Sequence, residues 1–259
     1  MKGIVIYLIK PTTINKMSHQ YERYLAEVRC NGLLLRRIET QTEELSIIAV
    51  RQDGRALRYV KNQTEAICLE AVRENGLVLQ NVENQTEAIC LEAVKQFGKA
   101  LMFVKEQTEA ICLEAVMENG YALQYVKNQT EEMCVIAINQ EIGAFRYVKD
   151  QTEGVCLELL RKDPTWIALI KKPTEGMMLV AMKHDGSYLR YLKNPSQAVC
   201  LVAVKSYGLA LRYVIDQTDE ICLEAVKERW LAIRYVINQT EEIRDLALSK
   251  SKNAAKYFR

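Results

Sequence analysis

Histidine is scarce in this chain. Only His19 and His184 occur in 259 residues, neither at ligand spacing, and no C-x-x-C is present. Nothing in the sequence therefore has the pattern of a zinc motif. A surplus of one charge is also lacking: 35 Lys and Arg stand against 33 Asp and Glu. No global field draws the chain to nucleic acid or to a membrane. No apolar run approaches the ~18 residues of a membrane-spanning helix. The opening MKGIVIYLIKPTT is cut short by Lys10 and Pro11, with no small-residue cleavage site after it, so it does not read as a signal peptide. A Gly-rich phosphate loop, a Ser-His-Asp set and a pair of carboxylates in contrasting surroundings are missing too. These absences predict a soluble, non-enzymatic protein with no metal and no cofactor.

What is present is repetition. Gln41, Gln63, Gln85, Gln107, Gln129 and Gln151 recur every 22 residues, and the same position continues as Pro173, Pro195, Gln217 and Gln239. Eleven such rows run from His19 to Arg259 without an insertion. Upstream, thirty residues separate Pro11 from Gln41, eight more than the period, which should lengthen or break the first long helix.

Each row carries two helical signals. Asn62, Asn84, Asn128, Asp150, Asn194, Asp216 and Asn238 stand three residues before an acidic or amide residue such as Glu65, Glu87 or Gln197, the spacing of a capping box. Pro173 and Pro195 then fall on the first helical position. Ile67, Cys68, Ala71 and Val72 make an apolar stripe opposite Glu70, Arg73 and Glu74. Gly76 and its counterparts Gly32, Gly54, Gly98, Gly120, Gly186 and Gly208 stand where a left-handed residue ends a helix.

The second segment, such as ALRYVKN from Ala56, suits a helix of about two turns. A strand ranks below it, because the Leu ladder and buried Asn of a leucine-rich repeat are absent. A 22-residue helix pair cannot bury its stripe alone, so the rows must stack. The expected fold is all-α, an α-solenoid of about eleven stacked helix-turn-helix repeats, read as one domain over 1–259. Its parts are an atypical start (1–40), regular rows (41–238) and a polar, basic capping row (239–259).

Seven cysteines, Cys68, Cys90, Cys112, Cys134, Cys156, Cys200 and Cys222, share one column, and Cys30 stands apart. Stacked rows would hold them roughly 8–10 Å apart, beyond the ~7 Å Cα limit of a disulfide. They read as small apolar residues at a close helix contact, in a reducing, cytoplasmic setting.

The surface columns carry the functional expectation. Arg36, Arg58, Arg146, Arg190, Arg212, Arg234 and Lys256 share the position farthest from the apolar stripe of the short helix. Beside them run Tyr59, Tyr125, Tyr147, Tyr191, Tyr213, Tyr235 and Tyr257, with Lys61, Lys105, Lys127, Lys149, Lys171 and Lys193 on the other flank. The pairs Arg58/Tyr59, Arg146/Tyr147, Arg190/Tyr191, Arg212/Tyr213 and Arg234/Tyr235 are candidate partner-binding residues, since Arg and Tyr are enriched at binding hot spots. A protein partner is favoured. The alternatives are single-stranded RNA or DNA along the same ridge, and self-association as a structural component, with a monomer or weak dimer expected. Tyrosines covering their neighbour's core, with wet hydroxyls, would give the same pattern without any partner. In LLRKDPTWIALIKKPTEGMMLVAMKHDG, Pro164 replaces the glycine and Ala168 the arginine, and Trp166, Met177 and Met178 enter. These three mark a candidate pocket, or a locally repacked core.

The QTEAICLEAVKxxGxALRYVKN unit resembles a repeat of unknown function found in many copies in proteins of giant DNA viruses of amoebae, and in some bacteria of amoebae. The likeness covers about residues 19 to 248. It brings no catalytic residue with it, and implies an interaction protein of the host-cell cytoplasm or the virion.

Overall fold

The computed structural model describes residues 11–259, with side chains from His19 onward. Residues 1–10, which hold the apolar opening run, lie outside them. Among the described residues every regular element is helical, and α-helices alternate with 3₁₀ helices. The chain divides into two units, Met1–Val148 and Lys149–Arg259. The first holds α1 (Pro11–Cys30), α2 (Glu43–Gln52), α3 (Glu65–Glu74), α4 (Glu87–Gln96), α5 (Glu109–Glu118) and α6 (Glu131–Gln140). The second holds α7 (Glu153–Lys162), α8 (Glu175–His184), α9 (Gln197–Ser206), α10 (Asp219–Glu228) and α11 (Glu241–Lys250). After each α-helix comes a six-residue 3₁₀ helix, for example Gly54–Tyr59 or Gly208–Tyr213. Within each unit successive rows pack side by side, so each unit is an α-solenoid. Of the two outcomes the upstream insertion allows, lengthening and not a break is found: α1 has 20 residues.

The long helices form for the reason the stripe suggests. Ile67, Cys68, Ala71 and Val72 of α3 are buried, and no α-helix could bury them without its neighbours. The short helix has a tighter logic. At three residues per turn its side chains fall on three edges. In Gly54–Tyr59, Leu57 continues with Val60 into the core, Arg55 and Arg58 face outward, and Ala56 and Tyr59 lie on the third edge, buried and half-buried.

Three sequence expectations are corrected. The helix cap is not the Asn of Asn-x-x-Glu but the Thr two residues later: Thr64 is the N-cap of α3 and its hydroxyl accepts from the Ile67 N–H, with Ser196 in that place for α9. The glutamate meant for the box is instead the first helical residue and serves the next row. Thr86 donates to Glu65 and Thr108 to Glu87, both at 2.9 Å. Pro173 and Pro195 consequently lie outside the helix, just before the caps Thr174 and Ser196.

The glycines, third, are not left-handed. No described glycine has positive φ; only Asn194 does, at φ 50°. Gly54, Gly76 and Gly98 open the 3₁₀ helices, capped by Asp53, Asn75 and Phe97 in extended conformation. They are required by close approach between rows. A Cβ added at Gly120 falls 2.7 Å from the Ala137 carbonyl oxygen. The freed space lets a glycine N–H reach the last turn of the next α-helix in several rows: Gly54 donates to Glu74 at 2.6 Å and Gly76 to Gln96 at 2.7 Å.

The repeated glutamine is the other tie between rows. Gln107 donates from Nε2 to the Tyr125 carbonyl and accepts at Oε1 from the Lys127 N–H, each at 2.9 Å. Gln41, Gln63 and Gln85 do the same in the first unit, and Gln151, Gln217 and Gln239 in the second. The amide thus satisfies one backbone acceptor and one donor where the chain leaves the 3₁₀ helix, groups that have no partner in their own row.

Candidate functional site

The cysteine column is built into that tie. The buried thiol of Cys112 donates to Gln107 Oε1 at 3.6 Å, and Cys68 and Cys222 reach Gln63 and Gln217 in the same way. All eight cysteines are thiols, seven buried and Cys30 exposed. Burial pushes Cys68 and Cys222 from 9.0 up to about 11, and moves Cys90, Cys112, Cys156 and Cys200 in the same direction. Such thiols hold little thiolate and make poor nucleophiles. A disulfide reagent at pH 8 should therefore find one fast thiol, Cys30, and seven that react only on unfolding. A second fast thiol in the native protein would refute this reading of the column. Because the folded-state pKa is raised, the thiols favour the folded state below pH 9.0, and that contribution should fall away as pH rises towards 11.

The acidic column of the long helices, Glu70, Glu92, Glu114, Glu158 and Glu224, is half-buried, and among the described residues all but Glu114 are paired. Arg51 meets Glu70 of the next row at 2.5 Å, and Arg73 meets Glu92 at 3.0 Å while also touching Glu70. In the second unit Glu158 pairs with Arg161 and Glu224 with Lys227 inside one helix. Exposed pairs of this kind contribute little to stability.

The Arg and Tyr columns are placed by the three-edged 3₁₀ helix. The arginines sit on the outward edge and are exposed; the tyrosines lie on the adjoining edge, mostly half-buried. In the first unit Arg58 lies 6.0 Å from the Tyr59 ring centroid, and Tyr147 packs edge-on against Tyr121. Gln80, Met102 and Gln124 stand between Arg58 and Arg146 in the column, so the basic surface is interrupted there.

The second unit is different. Arg190, Arg212 and Arg234 occupy three successive rows and lie over Tyr191, Tyr213 and Tyr235 at 4.7, 4.6 and 5.2 Å. Arg234 also lies 5.7 Å from the Tyr257 ring of the following row. The Arg190 guanidinium is held above its ordinary pKa first by the Tyr191 hydroxyl, with burial working against it, and further by Tyr213 one row on. For Arg212 burial is the largest single influence and lowers the value, but Tyr213 and Tyr235 together outweigh it. The result is a ladder of guanidiniums over tyrosine rings, in which Arg234 also reaches the ring of the next row. Of the sequence candidates, the structure brings these six side chains together within one unit. The pairs Arg58/Tyr59 and Arg146/Tyr147 belong to the other.

Trp166 replaces a buried alanine of the regular rows and is half-buried. Met177 fills the core position held elsewhere by Ile67, 2% exposed, and its sulfur accepts from the Thr174 N–H at 3.4 Å. Met178 takes the cysteine position. Met177 is thus a core residue, while Trp166 and Met178 keep part of their surface open.

Residues 86–130 match the model of a family described as Domain of unknown function (DUF4116). The match begins at the cap Thr86 and ends at the cap Thr130, two rows further on. It shows that these rows are similar to that family and assigns no activity. No curated protein and no solved structure matches the chain. Among the described residues, no helix is long and apolar enough to cross a membrane, and no group of three or more His, Cys, Asp or Glu could hold a metal ion.

Proposed function

We propose that the chain is a non-enzymatic repeat scaffold whose Arg–Tyr ladder, Arg190/Tyr191, Arg212/Tyr213 and Arg234/Tyr235, binds an extended acidic segment of a protein partner. The observation that supports it is the stacking of each guanidinium on a tyrosine ring. Stacking removes much of the rotamer freedom an arginine would otherwise lose on binding, and leaves the N–H edges outward for bidentate contact with carboxylates. Row-to-row repetition suits a partner that runs along the surface, because equivalent donors recur with each row.

Nucleic acid ranks second. Base stacking needs bare ring faces, and the guanidiniums already lie over these rings. The net charge of +2 offers no broad field for phosphates. Affinity capture from lysate of cells that express the chain tests both readings, with and without nuclease, with wild type beside Arg190→Ala/Arg212→Ala/Arg234→Ala. A protein partner retained after nuclease and lost in the triple variant is the expected result. Release by nuclease would put RNA or DNA in its place, and an unchanged partner in the variant would reduce the ladder to a solvated face.

A further inference from the structure

The lysine column holds the rows together at their outer edge. In the first unit Lys61 Nζ donates to the Glu39 carbonyl at 2.8 Å, Lys105 to Glu83 at 2.9 Å and Lys127 to Lys105 at 3.2 Å. Each lysine thereby covers a carbonyl of the row before it. In the second unit the column continues as Lys171 and Lys193, then changes to Ile215 and Ile237 before ending at Arg259. Two adjacent rows thus carry an aliphatic side chain where the first unit has a cation that ties rows.

These isoleucines are not drawn into the core. Ile215 is 79% exposed and Ile237 67%, the two most exposed large apolar residues among those described. They flank a groove of about 380 Å³ whose walls include Asp216, Thr218, Asp219 and Asn238. Asp216 and Asp219 are exposed on its walls, Glu220 follows at the start of α10 and Glu241 and Glu242 open α11, also exposed, and among the described residues none of the five forms a salt bridge. One further tie is missing at this place. Pro195 stands where the repeat has glutamine, so no side-chain amide reaches the Tyr213 carbonyl and the Ile215 N–H.

An exposed aliphatic pair, five unpaired carboxylates and uncovered backbone carbonyls complement one kind of ligand. We infer that the Ile215–Ile237 edge docks a basic-aliphatic segment of a partner protein, in which aliphatic side chains are flanked by Lys or Arg. Its aliphatic residues cover the two isoleucines. Its cations meet Asp216, Asp219 and the α11 glutamates, and a lysine ammonium takes the carbonyl of Lys193 or Ile215 that a repeat lysine would have covered. The site differs from the Arg–Tyr ladder in place and in charge, so the two stand or fall separately.

The test uses the full chain and two fluorescein-labelled peptides, one with a Lys-Ile-Ile-Lys core and one with Glu-Ile-Ile-Glu, followed by anisotropy. The lysine peptide should bind and the glutamate peptide should not. The variant Ile215→Lys/Ile237→Lys restores the residue type of the column and should keep the unfolding midpoint, while weakening the lysine peptide roughly tenfold or more. The triple arginine variant should bind that peptide as wild type does. Equal binding of both peptides, or equal binding by the isoleucine variant, overturns the inference. Light scattering covers the remaining occupant: a dimer that the isoleucine variant dissociates would assign this edge to a second copy of the chain and overturn it as well.

Discussion

Gly186→Ala should unfold the second unit or cost it about 3 kcal/mol, at the upper end of what overpacking usually costs. The added methyl would overlap the Ala203 carbonyl oxygen of α9, with the carbonyl carbon only 2.7 Å away. Those are backbone atoms, which cannot step aside as a flexible side chain can. The rows would have to separate, and the bond from the Gly186 N–H to Ser206 Oγ, 3.3 Å long, would be lost with them. Gly176→Ala is the control in the same unit. It lies in the first turn of α8, where an added Cβ meets nothing nearer than Thr174 Oγ1 at 3.8 Å. There the change should stabilise by about 0.5–1 kcal/mol, through helix propensity and reduced freedom of the unfolded chain. Urea midpoints of the two variants should move in opposite directions. Equal shifts would show that row spacing is not what fixes the glycine at 186.

Gln107→Ala should cost about 2–3 kcal/mol, because it strips the Tyr125 carbonyl and the Lys127 N–H of their partner. The Cys112 thiol loses its acceptor at the same time. The glutamine is half-buried, so water recovers part of the loss, which holds the figure below that of two fully buried groups. Native-state hydrogen exchange gives a sharper readout. The Lys127 amide should lose protection in the variant, whereas helical amides of α4 should change only with global stability. The reverse change, Pro195→Gln, should add the missing tie and gain about 1 kcal/mol, with the Ile215 amide becoming slower to exchange. If Lys127 exchanges equally fast in wild type and variant, the glutamine tie carries no weight in solution.

Much of this was readable in the residues because a tandem repeat shows the same contact many times over. The 22-residue period, the long helix with its Ile67–Cys68–Ala71–Val72 stripe and the buried cysteine column follow from side-chain periodicity, while the insertion before Gln41 left a lengthened and a broken first helix both open. The misplaced features each have a local cause. Asn-x-x-Glu satisfies the capping-box pattern two residues ahead of the true cap, and Thr64 also matches the requirement for a capping oxygen. Distinguishing the two requires knowing that Glu65 is engaged by Thr86 of the next row. A glycine after a helix suggests a left-handed residue; here the backbone stays at negative φ and the glycine serves a neighbour 17 residues along, as Gly120 does for Ala137.

The period, the all-helical class and the identity of the surface columns are one-dimensional properties, set by which residues recur and at what interval. The hydrogen-bonding partner of each repeated residue is not of that kind. Gln107, Gly54 and Lys61 look alike in the sequence, as members of regular columns, yet each acts on a different group of a neighbouring row, a carbonyl for Gln107 and Lys61 and the Glu74 carboxylate for Gly54. Those partners exist only once rows pack at a definite spacing and the short segment takes three residues per turn. The same geometry lays Arg190, Arg212 and Arg234 over tyrosine rings and leaves Ile215 and Ile237 in water, a distinction between neighbouring columns that arises from the placing of 3₁₀ edges between stacked rows.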